Sequence, residues 1–284
     1  MLNDVTLGQY YPTTSFVHKM DARIKILLNI FYLIGIFFAT SFFAFGIILV
    51  FLLIAVAFSR VPLSSVLKSI KGIMFIVIFT SILNVFFTSP SETSKLLVDW
   101  WIFQIYDTGL IFAGYMMLRL IFLVLGASLL TLTTTPVELT HGIESLLYPL
   151  TLIKAPVHEL ALIMSLALAF IPTLIEETDR IIRAQKARGA NFDTGNIFKR
   201  AGAFVPILIP LLISSFRRAG ETALAMDSRC YEGSTKRTKM QKMRLSWRDA
   251  VGTLVIAIFF TMVFLIRDMS LGRGFLPIIK WMIF

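Results

Sequence analysis

Charge and sulfur are both scarce in this chain. Only 15% of its 284 residues are charged, against about 25% in a soluble domain. One cysteine, Cys230, excludes an internal disulfide. A reactive thiol and a bystander both fit it, and the bystander is the simpler reading. No HExxH, CxxC or Gly-x-Ser-x-Gly occurs. Nor does Gly-x-x-x-x-Gly-Lys-[Ser/Thr], which excludes ATP binding through a P-loop. The long apolar runs hold few acids. Pumps and secondary transporters carry acids there for protons or ions, so a self-contained transporter or channel is disfavoured. A lipid-acting membrane enzyme would need a catalytic acid, base or metal cluster, and none is visible. The start, residues 1–19, is polar and has no apolar h-region, so no cleavable leader is expected.

Apolar residues fill the space that charge leaves. They make up 57% of the chain, with 26 Phe and a mean hydropathy of +0.80. Runs such as Ile26 to Phe58 mark an integral membrane protein. Five spans are readable: Ile26 to Thr40, Phe42 to Phe58, Gly72 to Phe87, Gly109 to Leu132 and Ala250 to Ile266. The third is short for a crossing of about 20 residues. Lys19, Arg23 and Lys25 precede the first span, and Arg60, Lys68 and Lys71 lie between the second and third. Loop 89–108 holds one Lys and three acids, whereas 16 of the 27 Lys and Arg fall between Pro136 and Arg248. The positive-inside rule then places the N-terminus and 136–248 in the cytoplasm and the C-terminus outside. The net charge of +10 reports these basic loops rather than nucleic acid. The Lys236 to Arg248 run lacks the aromatic interleaving of a nucleic-acid platform and suits anionic headgroups.

Region 136–248 is too apolar for a soluble loop and too charged for an ordinary membrane hairpin. Pro136 to Leu147 follows a Thr run, with Pro at the first helical position. Pro156 to about Arg188 starts apolar, passes Pro172 and becomes charged at Glu176, Glu177, Asp179, Arg180, Arg183 and Lys186. Phe204 to Arg229 repeats that layout, with Pro206 and Pro210 in front and Arg217, Arg218, Glu221 and Asp227 behind. The pattern predicts one short amphipathic helix and two long helices with apolar fronts and water-facing ends. An extra membrane hairpin from 157–175 and 201–215 is the alternative. Paired prolines and an early His-Glu weigh against it.

Two similar hexapeptides end the long helices. Ala184-Gln185-Lys186-Ala187-Arg188-Gly189 comes first, and Ala225-Met226-Asp227-Ser228-Arg229-Cys230 follows about 41 residues later. An arginine at a helix C-terminus complements the negative end of the dipole. Gly189 suits a left-handed stop. A guanidinium flanked by small residues can enter a groove and fork onto carboxylates or carbonyls. One copy alone reads as an ordinary cap; two with the same upstream layout read as a paired device. Cys230 stands where the first copy has Gly, so a left-handed stop is harder there, and Gly233 is the expected substitute. Arg119 lies within the fourth span and either organises a polar contact inside the bundle or reaches water at an interface. Glu138, His141 and Glu144 share a helix face, but that spacing does not converge on one ion.

These segments resemble the transmembrane T component of energy-coupling-factor (ECF) transporters, a branch of the ABC transporters. Ser15-Phe16-Val17-His18-Lys19-Met20-Asp21-Ala22-Arg23-Ile24-Lys25 is similar to that family's Ser-x-x-His-x-x-Asp-x-Arg-x-Lys entry to span one. Thr134-Thr135-Pro136-Val137-Glu138-Leu139 resembles its Thr-x-Pro-x-x-Leu start of the first coupling helix. Phe170-Ile171-Pro172, followed by the Ala187-Arg188-Gly189 signature, resembles the second coupling helix; Ser228-Arg229-Cys230 resembles the signature ending the third. The resemblance implies an all-α integral membrane protein with about five transmembrane helices and three cytoplasmic-side coupling helices, two of them long. Expected domains are a membrane domain over 1–133, a coupling-helix domain over 134–247, and a last span with its tail over 248–284. It implies a non-catalytic subunit of a vitamin or micronutrient importer in a bacterial cell membrane. Its partners would be two ABC ATPase subunits and a small substrate-binding S component. ATP and Mg would be bound by the ATPases and no cofactor by this chain. Ala187, Arg188, Gly189, Ser228, Arg229 and Cys230 would dock the ATPases.

Overall fold

The computed structural model describes residues 10–39, 41–87, 96–100, 103–190, 197–232 and 246–271. In chain order, α1 (Ala22–Phe38), α2 (Phe42–Ser59) and α3 (Leu63–Phe87) come first. A hairpin of β1 (Leu96–Trp100) and β2 (Phe103–Tyr106) leads to α4 (Asp107–Thr133). After α5 (Pro136–Leu147) and a 3-10 turn (Tyr148–Ile153) come the long helices α6 (Val157–Ala187) and α7 (Ile197–Asp227). The last helix is α8 (Trp247–Leu271). The fold is an all-α membrane bundle, and the short antiparallel hairpin was not foreseen from the sequence. Five helices are long and apolar enough to cross a membrane: α2, α3, α4, α6 and residues 247–266 of α8. At 17 residues, α1 lies at the short end of the crossing range.

Several boundaries differ from the sequence reading. Lys68 and Lys71 do not sit in a loop; they lie on α3, whose 25 residues remove the shortness expected of the third span. Their long stems let the ammonium groups reach toward an interface while the backbone stays helical. The second of the two long helices, α7, starts at Ile197, seven residues before the apolar front that announced it.

The chain divides into two compact units, one of 8–142 with 243–284 and one centred on 143–242. The larger unit is built around the aromatic face of α1. Tyr32, 4% exposed, has its ring centroid 5.7 Å from Phe51 of α2 and 5.8 Å from Phe259 of α8. Phe45 of α2 stacks on Phe122 of α4 at 6.1 Å. Gly126 makes the α1–α4 approach possible, because a Cβ there would collide with the Tyr32 ring. That closeness lets Asn29 donate to the Gly126 carbonyl at 2.8 Å and Tyr32 donate to the Phe122 carbonyl at 3.1 Å. Small residues and interhelical hydrogen bonds are what hold helices together where no water is available to drive them.

Arg119 resolves in favour of the interior reading. It is 6% exposed and donates to the Ala39 carbonyl, just past the end of α1, at 3.1 Å. Its guanidinium also lies 5.9 Å from the Phe37 ring centroid. A cation there satisfies the negative end of α1.

The N-terminal motif forms a polar knot in the same unit. His18 Nε2 donates to the Tyr11 carbonyl at 3.0 Å, and its Nδ1 accepts from Ser15 Oγ at 2.7 Å. One donor and one acceptor suit the neutral ring, and burial pushes its pKa below the usual value. Asp21 caps α1 by accepting from the Arg23 N–H at 3.0 Å. Lys25, 5% exposed, donates to the His18 carbonyl at 3.0 Å and to the Thr133 carbonyl at the end of α4 at 3.1 Å. Asp249, 2% exposed, accepts from the Ser246 N–H at 2.7 Å and from the Asp21 N–H at 2.9 Å. The first bond is half of a Ser-x-x-Asp capping box for α8, and the second ties the start of α1 to it. Thr135 and Glu138 form the reciprocal box for α5, with N–H···O distances of 3.4 and 3.2 Å. Pro136 fits between them because its missing N–H would have had no helical partner.

Candidate functional site: two arginine turns

The smaller unit presents its charged ends in one repeated backbone form. At the end of α6, the Gly189 N–H bonds the Lys186 carbonyl and the Ala190 N–H bonds the Gln185 carbonyl, both at 3.0 Å. At the end of α7, the Cys230 N–H bonds the Asp227 carbonyl at 2.8 Å and the Tyr231 N–H bonds the Met226 carbonyl at 3.0 Å. Each pair is the crossed pattern of a Schellman turn, in which the last carbonyls of a helix are satisfied by the two residues beyond the cap. The register places Arg188 and Arg229 at the same position, the C-cap.

Gly189 takes the left-handed conformation at φ 87°, as its lack of a Cβ allows. Cys230 takes it as well, at φ 51°. The expectation that Gly233 would supply the second stop is therefore corrected, and Gly233 itself lies outside the described residues. A side chain in that conformation costs on the order of 1 kcal/mol. Two well-formed cap hydrogen bonds, each contributing about 1 kcal/mol, offset it.

All six motif residues are exposed: Ala187, Arg188, Gly189, Ser228, Arg229 and Cys230. Among the described residues, neither arginine has an acidic partner within ion-pair distance. The charges that do pair on these helices are surface contacts at 3.9 Å, Arg180 with Glu177 and Arg217 with Glu221. Such pairs contribute little. Ser228 Oγ donates back to the Ala225 carbonyl at 3.1 Å, so its hydroxyl is folded onto its own helix beside Arg229.

Gln185 has a role that the motif alone did not reveal. Pro210 has no N–H, so the Pro206 carbonyl, four residues earlier on α7, loses its helical donor. Gln185 Nε2 donates to that carbonyl at 3.4 Å. The hexapeptide thus braces α7 with one residue and presents the arginine with another. A glutamine three residues before a helix-ending arginine, facing a Pro-x-x-x-Pro pair, was the available signal.

The fronts of the two long helices are apolar and uncovered. Ile163 of α6 and Leu208, Ile213 and Phe216 of α7 are exposed at 60, 59, 63 and 70%. Val157, Ala161 and Ile207 are the buried apolar side chains that these two helices contribute among the described residues. Exposed apolar area on this scale marks a protein or membrane contact. The acids on α5 are each engaged. Glu138 caps α5, and Glu144 lies 3.4 Å from His158 Nδ1. Among the described residues no cluster of three His, Cys, Asp or Glu could hold a metal ion.

A multi-pass membrane bundle with two capped arginines and an uncovered apolar face belongs to the class of membrane subunits built to contact other proteins. Sequence comparison specifies the class. Residues 13–240 match the family described as Cobalt transport protein. The chain is 48% identical over 254 residues to the energy-coupling factor transporter transmembrane protein EcfT of Clostridium kluyveri, covering 89% of this chain and 93% of that one. The protein of that name from Ruminiclostridium cellulolyticum is 46% identical over 267 residues, covering 94% and 98%. That of Bacillus subtilis is 39% identical over 267 residues, covering 94% and 100%. The chain belongs to the family of transmembrane T components of ECF transporters.

Proposed function

We propose that this chain is the non-catalytic coupling scaffold of an ECF-type ABC importer, with Arg188 and Arg229 as its two points of attachment to a pair of ATPase subunits. The observation that carries this reading is the placement of both arginines at the C-cap of matching Schellman turns. Two equivalent turns suit two related partner grooves. Each guanidinium, held off the helix end and flanked by small residues, can fork onto carboxylates or carbonyls in such a groove. A continuous 31-residue helix stands behind each turn, so a push at the cap is carried into the arm.

The uncovered apolar fronts of α6 and α7 are the surface for the substrate-binding S component. Substrate identity then resides in that partner, in keeping with the few polar side chains along the spans. Energy comes from the ATPases, because the sequence has no P-loop. In this reading α1, α2, α3, α4 and α8 cross the bilayer, α6 and α7 lie at its cytoplasmic side, and the C-terminus is outside. Pro172 comes shortly before the charged end of α6, and Pro206 and Pro210 lie within the apolar front of α7.

The test is uptake by the assembled importer with the double variant Arg188→Glu, Arg229→Glu. The expected result is loss of uptake with unchanged insertion of the chain. Normal uptake by the double variant sinks the reading.

A further inference from the structure

The larger unit contains a cavity of about 470 Å³ bounded by the N-terminal segment, α1, α2, α4 and α8. We propose that it holds an acyl chain of an anionic phospholipid, with the headgroup against the cationic side chains beside it. Its wall includes Phe16, Phe58, Leu129, Trp247 and Ile256, with Lys25 at one end. The volume lies within the range of about 300–1,000 Å³ typical of ligand pockets. The cavity opens to the surroundings and its lining is almost wholly apolar, which suits a hydrocarbon occupant.

Water is a poor occupant. A buried water needs two to four polar partners. The polar residues on the wall spend their groups inside the protein: Asn29 and Tyr32 on carbonyls of α4, Thr133 Oγ1 on the Leu129 carbonyl at 2.8 Å, and Lys25 on two carbonyls. What remains is hydrocarbon, and the surrounding solvent is lipid. Lys25 and Tyr32 both line the cavity and are seven residues apart on α1, a rise of about 10 Å. That is long enough for a chain rather than a compact ring.

The charge selects the lipid. Lys19 is exposed and precedes the wall residue Met20; Arg248 follows the wall residue Trp247. Trp247 itself is 67% exposed, as an aromatic at a membrane interface is. Three carboxylates lie in the same neighbourhood and keep their charge: Asp21 and Asp249, which accept from backbone N–H groups, and Glu138. Lys25 has no carboxylate within ion-pair distance among the described residues. The cations of these segments, Lys19, Arg23, Lys25 and Arg248, still outnumber the three carboxylates, and that balance favours a phosphate.

The test is native mass spectrometry of the full chain, delipidated in detergent and offered equal phosphatidylglycerol and phosphatidylcholine. The expected spectrum shows one retained phosphatidylglycerol, favoured by about tenfold or more, as two nearby cations would give. Ala55 also lines the cavity, and Ala55→Trp fills it and is expected to remove the retained lipid. Equal retention of both lipids overturns the headgroup assignment. No retained lipid, or undiminished retention in a folded Ala55→Trp chain, overturns the site. Should Ala55→Trp not fold, a chain with Trp100, Trp101 and Trp281 replaced by Phe gives the answer through Trp247 alone. Brominated phosphatidylglycerol is then expected to quench its fluorescence more strongly than brominated phosphatidylcholine, and equal quenching overturns the proposal.

Discussion

The two units treat polarity in opposite ways. In the larger one, polar groups are inside and matched: Lys25 on two carbonyls, Asp249 on two N–H groups, Arg119 on the end of α1. In the smaller one, charge is outside, with the arginine turns at the helix ends; exposed Leu, Ile and Phe side chains occur in both units. A buried polar group that is fully bonded fixes one arrangement, whereas exposed complementary surface waits for a partner. On the proposed reading, the difference separates a part that holds its arrangement from a part that partners move. Substitutions in the first unit should act on folding and in the second on assembly.

The sharpest break of that comparison is on the folding side. Asp249→Ala strands the N–H groups of Asp21 and Ser246 in a buried site. Losing a buried charged acceptor costs about 2–4 kcal/mol, so a marked fall in the thermal unfolding midpoint in detergent is expected. Gly126→Leu should cost about 1–3 kcal/mol by driving α1 from α4. Its mark, beyond a lower midpoint, is loss of protection from hydrogen exchange on α1.

The smaller effects sharpen the distinction. Cys230→Gly should strengthen the second turn by on the order of 1 kcal/mol, because glycine adopts φ 51° without strain. Slower exchange of the Tyr231 N–H would register it, and unchanged or faster exchange would contradict it. The last is a pH effect. Burial lowers the His18 pKa, so the unfolded chain binds its proton more readily than the folded one. The stability this contributes is complete above the unfolded value of about 6.5 and is lost as pH falls from there through the folded pKa. His18→Gln should flatten that part of the stability profile.

Legibility in the sequence followed locality. The start of α5 could be read because the Thr run and Pro136 mark it within a few residues. The helix ends at Arg188 and Arg229 were legible for the same reason, each carried by a hexapeptide. Lys68 and Lys71 misled because charge was taken as a loop marker, though a lysine on a lipid-facing helix needs only an outlet for its ammonium. Cys230 misled because the turn's hydrogen bonds, rather than the residue's own preference, set its backbone. The Asp249–Asp21 bond joins positions 228 apart in the chain, and no short pattern announces it.

Stoichiometry of co-purification with the ATPase subunits addresses the central claim most directly, comparing the unaltered chain with Arg188→Glu, Arg229→Glu and the double variant. The account predicts two ATPase subunits per unaltered chain, weakened retention in each single variant and none in the double, all at an unchanged unfolding midpoint. A double variant that keeps both subunits, with both turns intact, would contradict it.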